Sequence, residues 1–149
     1  MKLSKNLSLG EVVRSAAAKK LGIDNNPTKE HLENLKIIAK EVFQPTRDYF
    51  GVPIFISSGY RSKELNKKVG GSKTSQHAFG MALDLDADVF GGVTNKQMFD
   101  YIRANLKFTQ LIYEYGTDEN PAWVHVGYDK NNLKGEVLRV EKSKGYYFI

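Results

Sequence analysis

The chain has 149 residues, 41% hydrophobic and 26% charged, a balance that excludes a disordered, collagen-like or coiled-coil protein and is expected to form one domain over 1–149. With no cysteine there is no disulfide framework, thiolate nucleophile or cysteine-based zinc finger, so any metal must sit on histidines and carboxylates. The formal charge of +5 and the pI near 9.3 favour polyanionic surroundings such as nucleic acid, acidic membranes or cell-wall polymers.

The N-terminus begins with Lys2 and Lys5, like the basic end of a signal peptide, but Glu11 and Arg14 interrupt it before any apolar stretch. No signal peptide is expected, and no run approaches the roughly eighteen apolar residues needed to span a bilayer. The expected product is soluble, starts in the cytoplasm and has no membrane partner.

Ser8 and Glu11 have the form of a capping box ahead of Val12, Val13, Ala16, Ala17 and Leu21, with Gly22 placed to end a short first helix. Thr28 caps a second helix whose Leu32, Leu35, Ile38, Val42 and Phe43 recur at helical spacing, and Pro45 is expected to kink or stop it. The β-branched and aromatic run 52–57 predicts a buried strand, followed by a Gly/Ser/Lys-rich loop around a short helix over 62–68. In 80–86, Met81, Leu83 and Leu85 alternate with Ala82, Asp84 and Asp86, which predicts a strand with one apolar and one polar face.

Thr94 and Gln97 form another capping box, opening a helix that carries Met98, Phe99, Ile102 and Leu106. Strand-like runs follow at 108–115 and 123–128, and a hairpin over 136–149 is expected to turn at 142–145. Helices come first and strands mostly late, so the predicted class is α+β, an antiparallel sheet with helices on one side.

Two of the three histidines stand in unusual surroundings. His77 precedes the strand whose polar face presents Asp84, and His125 lies in a strand between Val124 and Val126, sharing a face with Trp123 and Gly127. Imidazole nitrogens there are costly unless satisfied. Two histidines and one carboxylate, with a fourth position left for water, match a catalytic zinc site, whereas structural zinc is normally closed by four protein ligands. The same donors also make the facial triad of iron oxygenases. That triad usually places its first histidine and acid two apart, whereas six residues intervene here.

The pattern Ser75-x-His77-x-x-Gly80-x-Ala82-x-Asp84, followed by Trp123-Val-His125, resembles the zinc D-Ala-D-Ala carboxypeptidase family, peptidase family M15, which includes phage endolysins and vancomycin-resistance dipeptidases. Ser57-Ser-Gly-Tyr-Arg61-Ser is similar to the family's strand and loop bearing a substrate-binding arginine. Gln110-Leu-Ile-Tyr-Glu114 and Asn120-Pro-Ala-Trp-Val-His125 resemble its small phage and bacterial members. The likeness runs from about Leu32 to Tyr128. It implies a hedgehog/DD-peptidase-like fold, one zinc ion on His77, Asp84 and His125, and Arg61 on a carboxylate or carbonyl of the peptide. A guanidinium forks onto carboxylate oxygens with two charge-assisted bonds, which suits that role.

The likeness fails at one place that matters for mechanism. Many members carry a general-base carboxylate three residues before the second histidine, where this chain has Ala122; others use a histidine five residues before it, where this chain has Asn120. Neither takes a proton. Glu114 is the expected base: it ends an apolar strand on the face of Ile112 and Gln110, and partial desolvation raises its pKa toward neutrality. Asp86 and Asp88 are candidates to orient the histidines. Ser75, Tyr60 and Trp123 are candidate substrate contacts, with Gln76, Tyr113 and Tyr115 beside them, while His31 is expected to be structural.

The expected activity is hydrolysis of peptidoglycan stem peptides, as a D-Ala-D-Ala carboxypeptidase or an endolysin-type endopeptidase, by a monomer that reaches the cell wall after release. The alternative is a non-catalytic zinc-containing module that binds wall or peptide, favoured by Ala122. Nucleic acid is not an expected partner, because the basic residues are spread along the chain without a recognition motif.

Overall fold

The structure is a computed structural model that describes all 149 residues. A small antiparallel hairpin, β1 (Lys2–Ser4) with β2 (Leu7–Ser8), opens the chain where no strand is predicted. The single helix predicted up to Gly22 is two: α1 (Leu9–Val13), capped by Ser8, and α2 (Ala16–Leu21), capped by Ser15 and ended by Gly22 in the left-handed region. The break is imposed from outside the helix. The Val12 carbonyl accepts the Tyr60 N–H and the Val13 carbonyl accepts from Asn25, so neither is free for a helical amide, and Arg14 turns extended to reach the Ile56 carbonyl.

Thr28 caps α3 (Lys29–Ile38) as expected. Pro45 does not stop the helical path: a π turn over Ala39–Phe43 leads into α4 (Gln44–Phe50), with Pro45 in its first turn and Gly51 closing it. A widened turn relieves the clash between the proline ring and the preceding carbonyls, and the Thr46 hydroxyl donates to the Val42 carbonyl one turn back.

The rest of the chain runs β3 (Phe55–Ser58), α5 (Lys63–Lys68), a 3-10 turn at Gln76–Phe79, β4 (Ala82–Asp86), α6 (Asn95–Asn105), β5 (Gln110–Glu114), β6 (Trp123–Gly127), β7 (Glu136–Glu141) and β8 (Gly145–Phe148). The fold is α+β, with a six-stranded sheet in the order β3-β4-β6-β5-β7-β8. The sheet is mixed and mostly antiparallel, not wholly so, because β5 and β7 are parallel. The loop after β6 rounds the start of β5, where the N–H groups of Gly135 and Glu136 bond the carbonyls of Phe108 and Thr109. It thus delivers β7 to the far side of β5 in the same direction.

Strand alternation sorts the two faces. Leu83, Leu85, Leu111, Tyr113, Val124 and Val126 face the helices and join Leu35, Ile38, Phe43, Met98, Phe99 and Ile102 in one core. Each large apolar side chain buried there contributes about 1.5–3 kcal/mol. The opposite face carries the polar residues of β4, β5 and β6 and remains open as a cleft.

Candidate active site

Register places the functional side chains. Asp84 of β4 pairs with His125 of β6, which pairs with Ile112 of β5; two residues along, on the same face, Trp123 pairs with Glu114. Directly opposed residues share a face, so Asp84, His125 and Glu114 converge on the open side of the sheet. They line a cleft of about 870 Å³ together with His77 and Arg61.

His77 arrives from the 3-10 turn, which is held against the sheet by two glycines. Gly80 ends the turn with φ of 74°, and a Cβ there would lie 2.5 Å from the His31 carbonyl oxygen. Only glycine fits both demands. Gly127 leaves the space that the Gln76 side chain fills, its amide oxygen standing where a Cβ would intrude.

Nδ1 of His77 lies 2.7 Å from the Gly59 carbonyl. A carbonyl only accepts, so Nδ1 carries the proton and Nε2 presents a lone pair. That bare nitrogen faces Asp84 Oδ1 at 3.3 Å, and Nδ1 of His125 faces the same oxygen at 2.9 Å. Two acceptors, Nε2 and a carboxylate, do not stabilise each other without a proton or cation between them. The three residues offer ligand atoms all within 4.8 Å of one another. Donors about 2.0–2.1 Å from a tetrahedral zinc lie roughly 3.3 Å apart, so the His–Asp–His group fits such an ion.

Burial pushes the Asp84 carboxyl up, but when a proton rather than a cation stands between it and the imidazoles, the charges and hydrogen bonds of His77 and His125 outweigh burial and hold the group well below the usual carboxylate range. Glu114 behaves in the opposite way. It is 7% exposed and its carboxylate forms no hydrogen bond within the chain. Desolvation pushes its pKa up to about 7, against the opposing pull of His125 and with a small contribution from Asp84.

Arg61 follows β3 at the cleft margin. Its Nη2 donates to Ser75 Oγ at 3.4 Å, while its buried Nε has no partner, so most of its donors are uncommitted. Burial lowers its pKa and the Asp84 charge offsets part of that. Trp123 lines the cleft beside Tyr115, their ring centroids 5.4 Å apart.

Other expected site residues lie elsewhere. Tyr60 is not a cleft residue: it is 3% exposed in the core, with its hydroxyl 2.9 Å from Nδ1 of His31. Tyr113 also faces the helices, against Phe99. Asp86 and Asp88 do not reach the histidines. Asp86 accepts from Asn95 and from the Asp88 N–H, and Asp88 accepts from Asn120. The buried Asn95 side chain also donates to the Pro121 and Ala122 carbonyls and accepts from the Ala87 N–H, fastening the segment that leads into β6.

Two contributions to the site leave no signal in the sequence. Gly59 acts through its backbone oxygen, which no residue pattern advertises. Leu138 and Tyr146 enter the cleft from the C-terminal hairpin, whose register against β5 is a long-range property.

No helix is long and apolar enough to cross a membrane. Comparison with curated proteins finds no match. The profile of the family described as Peptidase M15 matches residues 5–127, most of the chain and all of the His–Asp–His group, and membership points to a metallopeptidase. The chain belongs to the Peptidase M15 family.

Proposed function

We propose that the protein is a zinc-dependent peptidase that hydrolyses peptidoglycan stem peptides, as a D-Ala-D-Ala carboxypeptidase or an endolysin-type endopeptidase. The observation that carries this reading is the convergence of His77, Asp84 and His125 with a desolvated, unpartnered Glu114 on one open sheet face. His77, Asp84 and His125 hold the ion, which when bound acidifies a water and polarises the scissile carbonyl.

Glu114 accepts the proton of the attacking water as the water oxygen bonds the carbonyl carbon, then passes it to the amine as the C–N bond breaks. A base with pKa near 7 suits both transfers. Arg61 anchors a peptide carboxylate through its free donors, and Ser75 fixes the direction of the guanidinium. The cleft walls shield Glu114 from bulk water. The basic surface favours approach to anionic wall polymers, and the proposed setting is a monomer made in the cytoplasm that meets the wall after release.

Purified stem peptides incubated with the zinc-loaded protein, with and without a chelator, test this by product mass. Chelator-sensitive release of free D-Ala identifies a carboxypeptidase, and a longer fragment an endopeptidase. Intact peptides in both arms contradict the proposal and leave the binding module as the reading.

A further inference from the structure

The hairpin of β7 and β8 lies beyond the family-matched residues 5–127, yet it builds one wall of the cleft. Ile112 pairs with Leu138 and Leu138 with Phe148, while Glu114 pairs with Val140 and Val140 with Tyr146. Two transverse rows therefore cross the sheet on the cleft side. One runs Asp84, His125, Ile112, Leu138; the other runs Trp123, Glu114, Val140, Tyr146.

Ile112, Leu138 and Val140 form an apolar cluster separate from the main core, with Tyr115 packed on it. Ile112 and Leu138 line the cleft, and Tyr146, 62% exposed, stands at its rim. Apolar floor immediately beside a polar hydrolytic group is not needed to fold the helix-covered side. Its place is informative: strands lie about 4.8 Å apart, so Ile112 and Leu138 are roughly 5 and 10 Å across the sheet from His125. Arg61 follows β3, on the other side of the ligand group.

The geometry points to a substrate subsite on this hairpin: Ile112 and Leu138 form a shelf, backed by Val140 and rimmed by Tyr146, that takes a small apolar side chain on the acyl side of the scissile bond. This rests on the peptidase reading and on Arg61 taking the carboxylate end. A peptide anchored at Arg61 and crossing the ligand group has only β5, β7 and β8 left to lie over. An alanine methyl set on Ile112 and Leu138 adds only apolar area, whereas a charged side chain there would lose its hydration, because Lys134 and Glu136, which line the same cleft, are already paired with each other at 3.0 Å.

The test uses the zinc-loaded full chain and N-acetylated dipeptides with alanine, leucine or glutamate before the scissile bond. Wild type is expected to prefer alanine. Leu138→Ala, which deepens the shelf, is expected to shift the leucine-to-alanine ratio of kcat/KM about tenfold toward leucine, and Tyr146→Ala to raise KM for the alanine peptide with kcat little changed. A general loss of packing does not create a preference. Ratios and KM values unchanged in both variants overturn the subsite.

If the loaded protein cuts neither these peptides nor stem peptides, the peptidase reading fails; in that case, or if only stem peptides are cut, the shelf is read separately from methyl NMR signals of Ile112 and Leu138 as N-acetyl-alanyl-alanine is added. Saturable shifts confined to the shelf support the subsite. Their absence overturns it.

Discussion

Gly59 positions His77 across eighteen residues of chain: its carbonyl takes the Nδ1 proton at 2.7 Å and so commits Nε2 to the cleft. A Cβ on Gly59 would collide with the Val12 carbonyl oxygen, and backbone on both sides leaves no easy relief. Gly59→Ala is therefore expected to move the Gly59 carbonyl and weaken zinc binding by about 10–100-fold, the usual effect of losing a partner behind a metal-binding histidine. Competition titration against a chromophoric chelator measures it. An unchanged affinity would show that the tautomer is fixed by something else.

Glu114→Gln keeps the shape of the side chain and removes its basicity. Activity is expected to fall about 10²–10⁴-fold with zinc content intact. In the wild type, activity rises as Glu114 loses its proton, and a bound dication draws the pKa of about 7 downward. The acid limb of the kcat/KM profile is accordingly expected at or below pH 7, and it disappears in the variant.

The same residue has the reverse effect on stability. Its folded pKa of about 7 lies above the ordinary 4.5, so the folded state binds the proton more tightly. That contribution is full below about pH 4.5 and is lost as the pH rises through 7. Metal-free Glu114→Gln is expected to melt higher than metal-free wild type at pH 8 and no higher at pH 4, in paired thermal scans. Such a trade between stability and activity is common at catalytic groups.

Much of this site is legible in the sequence because strands have a period of two. Alternation alone puts Asp84 opposite to Leu83 and Leu85, His125 opposite to Val124 and Val126, and Glu114 with Ile112. What alternation does not carry is which strand lies beside which. The parallel neighbour β7, and with it Leu138 and Tyr146, depends on how the 128–135 loop rounds β5. Tyr60 and the first helix illustrate a second limit: the Tyr60 amide takes the Val12 carbonyl, so one tertiary contact both breaks the helix and draws Tyr60 into the core. Asp86 and Asp88 show a third, since Asn95 and Asn120 engage carboxylates that chain position alone leaves available.

Asn95 is fully buried, and its side-chain amide bonds Asp86, the Ala87 N–H and the carbonyls of Pro121 and Ala122, joining two segments distant in sequence. Asn95→Ala leaves those partners unsatisfied and is expected to cost about 2–3 kcal/mol, read from urea denaturation. Because it also frees the segment entering β6, the variant is expected to lose activity at temperatures where it remains folded. Asn95→Asp keeps the acceptor toward the Ala87 N–H but sets a charge beside Asp86 and two carbonyls, and is expected to be no more stable.

The proposed catalysis requires that His77, Asp84 and His125 grip one ion while leaving it open to solvent. Zinc-edge X-ray absorption on the loaded protein, combined with metal analysis, tests that most directly. The prediction is one zinc per chain, bound by two imidazole nitrogens, one carboxylate oxygen and an exchangeable solvent oxygen, with stoichiometric zinc lost in Asp84→Ala. A chain that takes up no zinc, or a zinc closed by four protein ligands, would contradict it.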